Sequence, residues 1–204
     1  LKSLQFALER LAARLLFTLA RALGPVGASD FGGALARTLG PLLPVSRTAR
    51  DNLARALPEF DPAARRQVVR GMWDNLGRTV AELPHLPALH WEIEGAEHLA
   101  PLAARGGPAI LVSGHIANWE VLPPAAARRG IRLGSVYRAA DNPLVDALIN
   151  GLRARAVEGE PLPLFPKGAQ GARAALKFLS AGGVLGMLAD QKLNDGIAVP
   201  LLGI

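Results

Sequence analysis

Residues 108–120 read PAILVSGHIANWE, and within them a histidine precedes a carboxylate by five positions, His115 and Glu120. An imidazole held by a carboxylate makes a general base. The carboxylate fixes the ring tautomer and stabilises the imidazolium, and the free ring nitrogen can take a proton from a hydroxyl. The apolar run 109–112 reads as a buried strand and residues from 117 onward as a helix, so His115 falls at a strand-to-helix turn. On a continuous helix five residues turn through about 500°, which leaves the two side chains about 140° apart. They meet only if His115 lies outside the first helical turn and reaches back, a bend that Gly114 allows. The same residues also read as a histidine bonded to backbone at a helix start and a solvated helix carboxylate.

Three further stretches carry candidate chemistry. Arg138 stands at the end of the strand read over 131–137, Asn142-Pro143 opens the next helix, and Arg153 and Arg155 close it. A guanidinium suits fixed recognition of phosphate or carboxylate, and at a helix C-terminus it also complements the helix dipole. PKGAQGAR (166–173) is a glycine-bearing turn before a helix, where backbone N–H groups can hold an anion and Lys167 and Arg173 add charge. It lacks the Gly-Lys-Ser/Thr ending of a P-loop. Asp190-Gln191 ends the strand read over 184–188, and KLNDGIAVPLLG follows, in which Asp195 reads as a loop carboxylate.

Taken in order, HIANWE, YRAADNPLVDALINGLRAR and the Asp190-Gln191 stretch resemble the blocks of the bacterial lipid A biosynthesis acyltransferase family, whose first block is H-x4-D/E. The resemblance covers nearly the whole chain. It implies that His115 deprotonates an acceptor hydroxyl, which attacks the thioester of an acyl carrier protein or coenzyme A, while Glu120 orients the ring. It also implies that Arg153 and Asp190 belong to the catalytic set. By the same likeness Arg138, Asn142, Arg155, Lys167, Arg173 and Gln191 are substrate-binding, with Arg138, Arg153 and Lys167 on phosphates. The acceptor implied is a phosphorylated glycolipid, a lipid A precursor. No metal is implied, and no cofactor beyond the acyl-carrier-protein or coenzyme A co-substrate. The family shows Phe-Phe-Gly where this chain has Leu201-Leu202-Gly203, a departure that bears on acyl or sugar selectivity. A lysophospholipid or other glycolipid O-acyltransferase would share the chemistry, and a non-catalytic membrane-binding module is the reading from another class.

Composition sets the outer limits. The 204 residues suit one domain, or one domain with an appended helical piece, and half of them are hydrophobic, enough for a core. No cysteine is present, which excludes disulfides, thiolate metal sites and a catalytic thiol. The net charge of +6 favours acidic partners: anionic lipid headgroups, phosphorylated substrates or an acidic carrier. No zinc-finger spacing or basic tract interleaved with aromatics points to nucleic acid. His85, His90 and His98 have spacings that converge on no metal site. The chain starts without methionine and stops in mid-pattern, as a fragment would.

The positioning elements follow from periodicity. Leu4, Leu8, Leu11, Leu15, Leu19 and Leu23 repeat at helical spacing over 3–23, and Arg10, Arg14 and Arg21 form a narrow stripe. Glu9 and these arginines argue against a simple membrane-spanning helix. A basic amphipathic helix can instead lie flat among headgroups, or pack on the domain's own core. Gly24-Pro25 breaks it, helices follow over 29–42 and 47–60, and Asp61-Pro62 starts another to about residue 82. Residues 91–95 read as a strand. Strand–helix alternation from there implies an α/β sandwich, acyltransferase-like, with a largely parallel central sheet. The expected division is a membrane-associating helical region over 1–83 and an α/β catalytic domain over 84–204, incomplete at its C-terminal side. The resemblance places the whole on an anionic surface, the cytoplasmic face of the bacterial inner membrane.

Overall fold

The structure, a computed structural model, describes residues 2–157 and 162–191. Four strands, β1 (Ala109–Ser113), β2 (Leu133–Tyr137), β3 (Leu164–Pro166) and β4 (Val184–Leu188), form an all-parallel sheet in the order β1-β4-β2-β3. The fold is α/β with an N-terminal helical region, as the alternation of strand and helix signals requires. The order brings the first and last strands side by side, Ser113 opposite Leu188.

Successive strand residues face opposite sides of the sheet, and the core divides accordingly. Val184 and Leu133 pack with Leu102 of α4 (Ala100–Arg105) and Ala126 of α5 (Leu122–Ala127). Leu185 and Phe165 pack with Ala175 of α7 (Ala169–Ser180), next to Phe178. Helices thus lie on both faces of the sheet, but the edge strand β1, expected to be buried, is open on one side, where Ile110 and Val112 are 55 % and 68 % exposed.

The helical region begins with α1 (Lys2–Leu39), bent at Gly24, whose φ of 68° a side chain would strain. After α2 (Val45–Ala56) comes α3 (Pro62–Glu82), capped by the Asp61 carboxylate on the Ala64 N–H at 2.8 Å. Gly32 of α1 and Gly77 of α3 sit at the crossing of these helices. A methyl group on either would strike the other's carbonyl oxygen, so only glycine permits this approach. Lower down, Phe17 packs with Leu83, Leu86 and Leu152, the last from α6 (Pro143–Ala156). The inner face of α1 is therefore Phe17, Ala20 and Ala28, all buried, while the leucine ladder stays outside, each rung 42–63 % exposed. By length and composition α1 is sufficient to cross a membrane.

Three local expectations change. Residues 91–93 form no strand, and 94–95 are a turn; the Trp91 ring instead stacks under the Arg128 guanidinium at 4.3 Å. The helix after His115 starts later than its pattern, with a 3-10 turn at Trp119–Val121 and α5 only from Leu122. Pro123-Pro124, a pair expected from sequence to kink the helix or end it early, lie in the first turn of α5, where N–H groups have no helical partner to lose.

Candidate active site

β1 and β4 are neighbours in register, so the residues two positions beyond Ser113 and Leu188 arrive together. They are His115 and Asp190. The Asp190 carboxylate accepts from the His115 ring Nδ1 at 2.7 Å through one oxygen and from the His115 backbone N–H at 2.7 Å through the other. An ionised carboxylate only accepts, so Nδ1 carries the proton and Nε2 presents its lone pair. The Gln191 side-chain nitrogen lies 3.3 Å from Nε2. Partial burial raises the Asp190 carboxyl, but the bonds from the His115 ring and main chain, with Asp190's own N–H, outweigh it and hold the group below its ordinary range. Trp119 meets the His115 ring edge-on, centroids 4.9 Å apart at 68°.

Glu120 does not take the role that its spacing suggests. Ala117 adopts a left-handed φ of 48°, and the 3-10 turn that follows swings Glu120 toward α6. There it receives a two-pronged pair from Arg153, Nε to Oε2 at 2.8 Å and Nη2 to Oε1 at 2.6 Å. The Glu120 side chain is 8 % exposed. Burial lowers the Arg153 pKa, yet the Glu120 carboxylate more than offsets this and keeps it raised. Arg153 also donates to Asn150, whose amide donates to Asp146, whose other oxygen accepts from the Ala140 N–H. The carboxylate on the imidazole is thus Asp190, and Glu120 with Arg153 forms a separate buried strut one residue from Trp119.

The Asn142 side chain, expected to bind substrate, is bonded within the fold. Its oxygen caps α6 on the Leu144 N–H at 2.9 Å, and its nitrogen donates to the Phe6 carbonyl at 3.0 Å and to Glu9 at 2.7 Å. Only 5 % of the residue is exposed. This asparagine ties α1 to α6. Arg138, beyond β2, reaches only Asp141 among the described residues, at 3.5 Å, both side chains largely in solvent. Lys167 follows β3 and its backbone N–H bonds the Tyr137 carbonyl at 3.2 Å. Arg155 and Arg173 are exposed on α6 and α7. Residues 192–203, with Asp195 and Leu201-Leu202-Gly203, lie outside the described residues.

The neighbours of the His115 turn that spacing did not reveal are Trp119 and the α3 groups behind the turn. Trp119 lies inside the HIANWE block, where an aromatic next to a base was a visible signal. Asn75, Thr79 and Glu82 are some forty residues upstream and carry none. Two surface grooves are also present. One of about 500 Å³, lined by Arg37, Arg66, Gln67, Arg70 and Asp74, belongs to α1 and α3 and does not include His115. Another, about 390 Å³, runs from Pro25 past Glu82, His90 and Trp91 to Asn118, behind the His115 turn.

A parallel sheet with a carboxylate-held imidazole at the carboxyl ends of two adjacent strands is an arrangement that can serve general-base chemistry. The chain belongs to the bacterial lipid A biosynthesis acyltransferase family, whose pattern it matches over residues 3–204. No curated protein matches the chain.

Proposed function

We propose that this protein moves a fatty acyl chain from an acyl-carrier-protein or coenzyme A thioester to a hydroxyl of a lipid A precursor, with His115 as the base. The observation that carries this reading is the His115–Asp190 pair, in which Nδ1 is committed at 2.7 Å and Nε2 keeps its lone pair, with the Gln191 amide nitrogen 3.3 Å away. Nε2 takes the proton of the acceptor hydroxyl as its oxygen attacks the thioester carbonyl. A C–O bond forms and negative charge moves to the carbonyl oxygen. Collapse breaks the C–S bond, and the imidazolium returns its proton to the departing sulfur. Asp190 stabilises the imidazolium meanwhile. The Gln191 amide, 3.3 Å from Nε2, gives up that contact when the acceptor hydroxyl takes its place and is then a donor beside the reacting oxygens.

The edge of the sheet supports an anionic acceptor or carrier. In the order β1-β4-β2-β3, the groups just beyond the strands are His115, Asp190, Arg138 and Lys167. At about 4.8 Å per strand they extend over about 14 Å, base at one end and cations at the other. The outward leucine ladder of α1, with Arg10, Arg14 and Arg21 about a third of a turn around the helix, fits an anionic membrane surface, the cytoplasmic face of the inner membrane.

Acyl transfer to a panel of lipid A precursors and lysophospholipids, read by mass spectrometry, tests the reading. His115→Ala is expected to lose about 10²- to 10⁴-fold in rate. Equal rates for variant and wild type would overturn the base assignment. Transfer to lysophospholipid alone would move the substrate to that class. Lipid binding by the wild type with no transfer to any acceptor would leave a membrane-binding module.

A further inference from the structure

We infer that Asn75, Thr79 and Glu82 of α3 are positioning residues that hold the His115 turn in its reactive shape. The inference rests on the reading of His115 as base. The three residues recur at i, i+4 and i+7, within about 60° on one face of the helix. Asn75 Nδ2 donates to the Ala117 carbonyl at 3.1 Å, and Thr79 Oγ lies 3.2 Å from the same oxygen. The Thr79 hydroxyl has one proton and is also 3.0 Å from the Asn75 carbonyl, so it is shared and Asn75 makes the firmer tie. Glu82 Oε2 accepts from Asn118 Nδ2 at 2.5 Å, and the Asn118 side-chain oxygen accepts from the Glu120 N–H at 3.1 Å.

The turn needs these ties. Ala117 is the one non-glycine residue with positive φ among the described residues, a conformation that persists only when its surroundings impose it. Apolar packing does not impose it, since Ile116 is 79 % exposed and Ala117 is exposed too. What remains is polar. On one side Asp190 grips the His115 main chain and ring; on the other α3 grips Ala117 and Asn118. The helical region is therefore part of the catalytic apparatus, although it offers no group to the substrate. Released on the α3 side, the turn relaxes and Nε2 moves, and a misplacement of about 1 Å costs about 100-fold in rate.

The test uses the whole protein in acyl transfer, with Asn75→Leu, which keeps the volume without a donor, and Asn75→Asp, which offers only acceptors. Both are expected to lower kcat roughly 10- to 100-fold, with KM for the acceptor within about twofold. In the His115→Ala background, Asn75→Leu is expected to change the residual rate by less than about twofold, because a residue acting through His115 has nothing left to position. A loss of equal size in both backgrounds would make the role general to the fold and overturn the inference. So would wild-type kcat in both Asn75 variants. If His115→Ala is itself fully active, the base reading fails first, and that outcome is distinct from a dead His115→Ala beside an unaffected Asn75 variant.

Discussion

The Asp190 carboxylate bridges the ring and the main chain of His115, two 2.7 Å bonds across seventy-five residues of sequence. One carboxylate thus sets both the position of the turn and the tautomer of the ring. Asp190→Asn keeps the shape but removes the charge and offers a donor where an acceptor stood. We expect kcat to fall by about 10²- to 10⁴-fold with KM little changed. Steady-state acyl transfer measures this, and a variant within twofold of wild type would show that Asp190 does not serve the base.

The same contact predicts a pH dependence of stability. The folded Asp190 carboxyl sits below its unfolded value, held there by the His115 bonds against the opposing effect of burial. Its stabilisation is complete above the unfolded pKa of about 3.9 and is lost as pH falls through the lower folded value. The Tm difference between wild type and Asp190→Asn is therefore expected to narrow from about pH 4 downward. A gap that stays constant to pH 3 would contradict this.

Arg153 and Glu120 form a pair with side chains 23 % and 8 % exposed. Removing one partner leaves the other charge buried, so Arg153→Met should destabilise by about 3 kcal/mol. Glu120→Gln added to it should restore much of that loss, because no charge is then stranded. Denaturant unfolding of the two single variants and the double variant measures the coupling. Arg153→Lys should fall between, since an ammonium cannot make the two-pronged contact.

On α1 the outward leucines and the three arginines make separable contributions to membrane binding. Leu8→Asp with Leu15→Asp should abolish co-sedimentation with lipid vesicles while leaving the Tm near that of wild type, both leucines being exposed. Each of Arg10, Arg14 and Arg21 changed to alanine should weaken binding to anionic vesicles by about fivefold and leave neutral vesicles unaffected. Equal losses on both vesicle types would remove the electrostatic part of the reading.

Local sequence determined the strands β1, β2 and β4, the capped starts of α3 and α6, and the break at Gly24-Pro25, because short-range sterics and apolar periodicity act within a few residues. It also located His115 at a strand end. Tertiary structure alone decided which carboxylate the histidine meets. The nearer one in sequence, Glu120, is turned toward Arg153 by the left-handed Ala117 and the 3-10 turn. The distant one, Asp190, arrives because β4 inserts beside β1, and strand order is a property of sheet assembly that no local pattern encodes. Asn75 shows the same division: its helix was legible at once, and its hold on the Ala117 carbonyl exists only once α3 has docked beside the turn.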